Sequence, residues 1–244
     1  MTETRAGTAV KFRSDVTVEL IKANAADSDV IWAARVSTKG ESSLDDVAAD
    51  PERSKGLINY LMRDRHGTPF EHNSLTYFVS APIFVFREFM RHRIASYNEE
   101  SGRYRELEPV FYVPGPDRNL VQQGKPGAYE FVPGSDEQHR VVTEQTKSAC
   151  EAAYIAYQEM LEAGVAREVA RGVLPVATYS SMYVTLNSRS LMNFLSLRTK
   201  RDDSAFPSFP QREIEMVADL MEQEWQQLMP LTHASFEANG RVAP

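Results

Sequence analysis

A single cysteine, Cys150, occurs in the 244 residues, which excludes an intrachain disulfide framework and any metal site made of several thiolates. No apolar run approaches the roughly eighteen residues of a membrane-spanning helix; the longest evident one is Ala81 to Phe86. Arg5, Lys11, Arg13 and Asp15 stand where a secretory leader would need an apolar core, so a cytoplasmic protein with no membrane partner is expected. Neither a G-x-G-x-x-G turn nor a P-loop is present, so a nucleotide cofactor would have to be held in some other way. The net charge of −7 lacks the excess of Lys and Arg on which general nucleic-acid binding rests, and no nucleic-acid partner is expected.

The basic residues that are present are gathered locally. Arg91 to Glu106, RHRIASYNEESGRYRE, carries Arg91, His92, Arg93, Arg103 and Arg105 and no lysine. Lys and Arg serve solubility equally well, whereas arginines interleaved with hydroxyls, an amide and aromatics suit bidentate binding of planar or phosphorylated groups. Between Val165 and Arg201 there is one carboxylate, Glu168, against Arg167, Arg171, Arg189, Arg198, Lys200 and Arg201. Two arginine-rich segments in an acidic chain point to a focused anion site.

The length and ordinary apolar content of 42% fit one domain over residues 1–244, with residues 1–14 a loose start. Patterning predicts a strand over Val16 to Ile21 and helices over Asp27 to Val36 and Pro51 to Arg63. A turn at HGTPFEH then leads into a strand over SLTYFVSA. Pro82 is expected in the first turn of a helix over APIFVFREFMRHR, so that the arginine motif begins on a helix end and runs into a loop. Ser135 and Gln138 form a capping box for a long helix ending at Gly164. A short helix at AREVARGVL, a strand at ATYSSMYVTL, a helix over SRSLMNFLSLR and an amphipathic helix over Gln211 to Leu228 follow. Pro114 to Gly134 and Thr199 to Pro210 read as loops. Strands and helices without regular alternation favour an α+β fold, a mixed sheet packed with helices.

Several residues admit more than one role. On the helix after Asn187, the residues Leu191, Phe194, Leu195 and Arg198 form one stripe, which puts a guanidinium in line with apolar neighbours. A cation at a helix C-terminus also favours the helix dipole, and Asn187, Arg189 and Asn193 are ordinary capping or surface residues by type. Cys150, beside Ala149 and Ala153, reads as a packing residue. His66, His72 and His92 match no familiar metal spacing and have only Glu71 nearby, so no metal is expected. Ser101 lacks the G-x-S-x-G context of a hydrolase nucleophile.

RHRIASYNEESGR resembles the R-H-R-x-x-S-x-N-x-x-S-x-R signature of flavin-dependent thymidylate synthases, the ThyX family, with Arg91, His92, Arg93, Ser96, Asn98, Ser101 and Arg103 in place. TPFEH, GVAREVARGVLP and NSRSLMNFLSLR extend the resemblance from about Ala33 to Trp225. It implies a homotetramer with shared active sites, FAD as cofactor, dUMP as substrate, 5,10-methylenetetrahydrofolate as carbon donor and NADPH as reductant. By the same resemblance Thr68, Arg91, His92, Arg93, Glu99, Asn187, Ser188, Arg189 and Asn193 hold flavin. Glu88, Phe89, Met90, Arg91, Glu99, Glu100, Ser101, Gly102, Arg103, Arg171 and Arg198 surround dUMP, with Arg198 facing the uracil as the catalytic group and His66 near the flavin and folate rings.

Glu88 stands where many relatives carry Gln, and the Thr199 to Pro210 segment has Phe209 where many carry a histidine. The alternative from another class is a nucleotide or single-stranded RNA binder that stacks bases on Tyr97, Tyr104 and Tyr112; the negative charge opposes it.

Overall fold

A computed structural model describes residues 9–44, 51–125 and 128–244. Its elements run β1 (Lys11–Arg13), β2 (Thr17–Asn24), α1 (Asp27–Lys39), α2 (Pro51–Arg63), β3 (Ser74–Pro82), α3 (Ile83–Phe89), β4 (Ser96–Glu99), β5 (Val110–Tyr112), β6 (Val121–Lys125) and β7 (Ala128–Val132). The long helix α4 (Asp136–Glu162), α5 (Arg167–Ala170), β8 (Tyr179–Leu186), α6 (Ser188–Arg198), α7 (Arg212–Leu228) and α8 (Pro230–Ala238) complete the order. Short 3-10 helices lie at Gly40–Leu44, Thr68–Glu71 and Arg171–Val173. Helices and sheets without regular alternation make an α+β chain. No helix among the described residues is long and apolar enough to cross a membrane.

The chain folds into two compact units, each drawn from several segments. The first takes the chain up to Asp15 together with Ser80–Arg87 and Glu99–Ser181. β1 pairs in parallel with β5, and β6 pairs with β7 as an antiparallel hairpin. Its core is Val10, Phe111, Cys150, Tyr154, Tyr157 and Ala170, with the inner face of α4 supplying three of them. α4 begins as its sequence requires: Ser135 Oγ accepts from the Gln138 amide at 3.3 Å, and the Gln138 side chain accepts from the Ser135 amide at 2.8 Å.

The second unit takes Val16–Val79, Glu88–Asn98 and Met182–Pro244. It holds most of a four-stranded sheet in the order β2-β3-β8-β4. β3 alternates, burying Leu75, Tyr77 and Val79 while Thr76 meets Thr185 of β8 hydroxyl to hydroxyl at 2.9 Å. α7 buries Ile214, Val217, Ala218, Met221 and Trp225, the stripe that its spacing predicts, and Tyr77 donates its hydroxyl hydrogen to the Met221 carbonyl at 3.3 Å.

Several expectations are corrected. Pro82 closes β3 rather than opening the helix, and α3 stops at Phe89, so the arginine motif lies in a turn beyond the helix. The Tyr97 hydroxyl explains the stop, since it sits 3.0 Å from the Phe89 carbonyl and 2.6 Å from that of His92 and so satisfies backbone groups that a longer helix would use. The motif then forms the strand β4 instead of continuing as loop. Pro114 to Gly134 contains the β6–β7 hairpin; the Pro-Gly pair between its strands lies outside the described residues. Of the expected loose start, residues 11–13 form β1, and residues 1–8 lie outside the described residues. The helix α8 adds to the elements that patterning predicts.

Candidate functional site

α6 carries a candidate side chain at each end. Asn187 caps it, its Oδ1 accepting from the Ser190 amide at 2.9 Å, and this commits the Asn187 side chain to the helix. Ser188 is fully buried, with its amide and hydroxyl both donating to Asn73 Oδ1 at 2.8 Å. Arg189 turns toward the HGTPFEH segment. Its guanidinium donates to Glu71 and, through Nε, to the Pro244 carbonyl at 2.6 Å. It also lies close to Gly67, where an added Cβ would stand 2.5 Å from the guanidinium carbon. A side chain at this position, beside Thr68, would displace the Arg189 guanidinium from its present place. Asn193 is exposed and bonds the Arg189 carbonyl at 3.2 Å.

At the other end of α6 the apolar stripe holds: Leu191, Phe194 and Leu195 are each buried to 1% exposure or less, and Arg198 follows Phe194 by one turn. Phe194 stacks on Phe89 at 4.6 Å and meets the His92 ring edge-on at 4.9 Å. This aromatic packing delivers His92 to the Arg198 guanidinium. Arg198 Nε donates to His92 Nε2 at 3.2 Å, Nη1 to Glu88 Oε2 at 2.5 Å, and Nη2 lies 3.4 Å from the Glu88 carbonyl. An accepting Nε2 means a neutral imidazole with its proton on Nδ1. Burial, and then the neighbouring Arg198 charge, push the His92 pKa down to about 4, which agrees with that tautomer. Burial raises the Glu88 carboxyl, and Arg198 draws it back. Three bonds thus fix the guanidinium and leave one hydrogen on each Nη for a planar acceptor.

Arg91 and Arg93 are exposed and make no side-chain hydrogen bond or ion pair among the described residues. Met90 is half-exposed beside them, whereas the Phe89 ring belongs to the core. His66 is exposed against Tyr60, with ring centroids 5.5 Å apart, and His72 packs on Trp32. The three histidines named in the sequence form no metal-binding group among the described residues.

In the first unit a second set assembles around Gly102. Gly102 is buried, and an added Cβ would come within 3.0 Å of Leu107 and 3.2 Å of the Arg171 stem, so this backbone and Arg171 are close-packed. Ser101 Oγ accepts from the Arg103 amide at 3.3 Å. Arg103 pairs with Glu168 at 2.9 Å, an ion pair exposed by 54% on both sides and so worth little in stability. Glu100 pairs with Arg105 at 3.1 Å. Burial raises the Glu99 carboxyl, while the Ser180 hydroxyl and Arg171 lower it. The partners Glu71, Asn73 and Glu168 lie far in sequence from the residues they hold, and of these only Glu168 carries a signal in the sequence, as the lone carboxylate in a basic stretch. A pocket of about 830 Å³ elsewhere in this unit, between Phe12, His139 and Lys147, contains none of the expected site residues.

Two observations weaken the base-stacking alternative. Tyr112 is buried with its ring against Phe84, and the Tyr97 hydroxyl is bound into the turn; of the three tyrosines Tyr104 alone is largely exposed.

Comparison with known proteins identifies the family. Residues 19–231 match the family model described as thymidylate synthase complementing protein. The chain is 70% identical over 234 residues to a flavin-dependent thymidylate synthase of Streptomyces avermitilis, covering 96% of this chain and 95% of that one. It is 59% identical to a protein of the same name from Tropheryma whipplei, covering 96% and 97%. The crystal structure of the UMP/dUMP methylase PolB from Streptomyces cacaoi, bound with 5-Br dUMP, superposes with a TM-score of 0.92 at 56% identity, covering 96% of this chain and all of that one. With a family model spanning most of its length and relatives of this identity, the chain belongs to the thymidylate synthase complementing protein family, the flavin-dependent thymidylate synthases.

Proposed function

We propose that this chain catalyses the reductive methylation of dUMP to dTMP, with FAD as cofactor, 5,10-methylenetetrahydrofolate as carbon donor and NADPH as reductant. The observation that carries the reading is the fixed guanidinium of Arg198, aimed by Glu88 and His92 with two hydrogens to spare. A planar cation of that kind fits the edge of a uracil ring, and it stabilises the base most when N3 has lost its proton and the ring is polarised toward C5. Charge at C5 is what a one-carbon unit needs. Arg198 is the catalytic residue, Glu88 and His92 its holders.

The donor set fits a flavin dinucleotide. Arg91 and Arg93 offer exposed guanidinium groups with no internal partner among the described residues, and Arg189 lies beside Thr68 against Gly67, so a pyrophosphate would find several forks. When bound, the flavin supplies the hydride that uracil C6 accepts. Glu99, Asn187, Ser188 and Asn193 contribute to that site chiefly through backbone and positioning, since Asn187 and Ser188 have their side chains committed. Ser101, Gly102, Arg103 and Arg171 form the nucleotide phosphate cradle, where the missing side chain of Gly102 lets this backbone pack against Leu107 and the Arg171 stem. A nucleophilic cysteine has no place in this scheme: Cys150 is 2% exposed in the core of the first unit, and burial pushes its thiol up to about 11.

The chain acts as a single functional domain in the cytoplasm and assembles as a homotetramer whose active sites draw on more than one copy. Ile94 at 74% exposure and Leu197 at 57%, near the arginine motif and Arg198 in sequence, are apolar side chains that a neighbouring copy would cover. The test is twofold. Titration with FAD should give saturable binding and a yellow protein that survives desalting. Anaerobic incubation with dUMP, methylenetetrahydrofolate and NADPH should then form dTMP, and its absence in flavin-loaded protein would remove the reading.

A further inference from the structure

The chain just past Arg198 is tied down by charges that the chemistry above does not use. Thr199 is 1% exposed, and its hydroxyl donates to the Leu195 carbonyl at 2.8 Å, closing the last turn of α6. The same oxygen accepts from Arg241 Nη2 at 3.2 Å. Arg241 is itself 2% exposed and held by Glu222, with Nη2 2.7 Å from Oε1 and 2.9 Å from Oε2. Glu222 also meets His233 at 3.0 Å and Arg201 at 3.2 Å. Nearby, the Ala205 amide donates to the Gly240 carbonyl at 2.9 Å, and an added Cβ on Gly240, whose φ is +70°, would come within 2.8 Å of Ala205 Cβ.

Glu222, His233 and Glu237 bring ligand atoms within 4.8 Å of one another, the spacing of a metal site. The Arg241 guanidinium, however, stands on Glu222 at 2.7 Å and faces Glu237 at 3.7 Å, so a cation already fills that position. Nor is stability a sufficient account, because an apolar core of equal volume commonly stabilises as well as a buried ion cluster. What such a cluster adds is direction. A helix end frays unless its last turn is held, and the last residue of α6 is the one whose guanidinium must meet Glu88 and His92.

We propose that Arg241, acting through the Thr199 hydroxyl and held by Glu222, is a positioning residue for Arg198. The inference rests on the reading of Arg198 as the group that faces uracil. Thr199→Val keeps the shape and removes the hydroxyl, Thr199→Ser keeps the hydroxyl, and Arg241→Met removes the guanidinium. In Thr199→Val and Arg241→Met, kcat for dTMP should fall about tenfold or more with flavin binding unchanged, and Thr199→Ser should stay within about twofold of wild type. A second readout is independent of turnover: the Arg198 Nε–H resonance in arginine-labelled protein, assigned by its loss in Arg198→Lys, should shift and exchange faster in Thr199→Val. If Arg241→Met does not fold, the Thr199 pair decides. Thr199→Val with wild-type kcat and an unmoved Nε–H resonance would overturn the proposal, whatever its melting temperature. If wild type itself makes no dTMP, the proposed function has failed, and the resonance alone decides whether Thr199 positions Arg198.

Discussion

Replacing Arg198 by lysine keeps the charge and removes the fork, which makes it the sharpest test of what the guanidinium does. In the structure Nε engages His92 at 3.2 Å, Nη1 engages Glu88 at 2.5 Å and Nη2 approaches the Glu88 carbonyl at 3.4 Å. A lysine has one nitrogen on a shorter reach and can keep the carboxylate contact alone. It forfeits the His92 bond and the long carbonyl contact, and it loses the pair of outward N–H groups that would meet a planar base. Hydrogen bonds to a charged group are worth about 1.5–3 kcal/mol each, so a net loss of about 3 kcal/mol at the transition state is expected. That corresponds to roughly a hundredfold in kcat, at about 1.4 kcal/mol per factor of ten. Flavin affinity should change little, because Arg189 and the arginine motif remain. The assay is kcat for dTMP formation beside a flavin titration on the same preparation. Turnover close to wild type, or parallel loss of flavin and activity, would show that Arg198 serves structure or cofactor instead.

Two further outcomes follow from burial. Cys150→Ala should retain turnover and cost on the order of 1 kcal/mol of stability, since the thiol packs among Val10, Phe111 and Tyr154; an inactive, folded, flavin-loaded variant would revive a cysteine mechanism. His92 has its pKa lowered from 6.5 to about 4, so on descending through that window the unfolded chain takes up a proton that the folded chain does not. The stability contributed by the neutral ring is therefore present above about pH 6.5 and lost as pH falls through about 4. Urea midpoints measured across this range should drop less steeply in His92→Gln, and identical slopes in both proteins would refute the assignment of a neutral His92.

Much is legible in the sequence wherever the determining contacts are local. The capping box at Ser135 and Gln138, the bounds of α6 and the apolar stripe of α7 depend on neighbours three and four residues away, which sequence spacing reports directly. The arginine motif was legible for a similar reason: its residue types and their spacing stand together in sixteen consecutive residues. The sequence could also place Arg198 in line with Leu191, Phe194 and Leu195. It could not show where the guanidinium goes. Its partners Glu88 and His92 lie 110 and 106 residues away, and only the stacking of Phe89 on Phe194 brings them within reach. α8 escaped notice for the same cause, because its N-terminus is capped by Asp27, whose carboxylate accepts from the Leu231 and Thr232 amides across 204 and 205 residues. The end of α3 depends on the Tyr97 hydroxyl, and the hold on Thr199 depends on Arg241. Local periodicity sets which residues can share a face; which faces meet, and hence which charges find partners, is decided by tertiary packing alone.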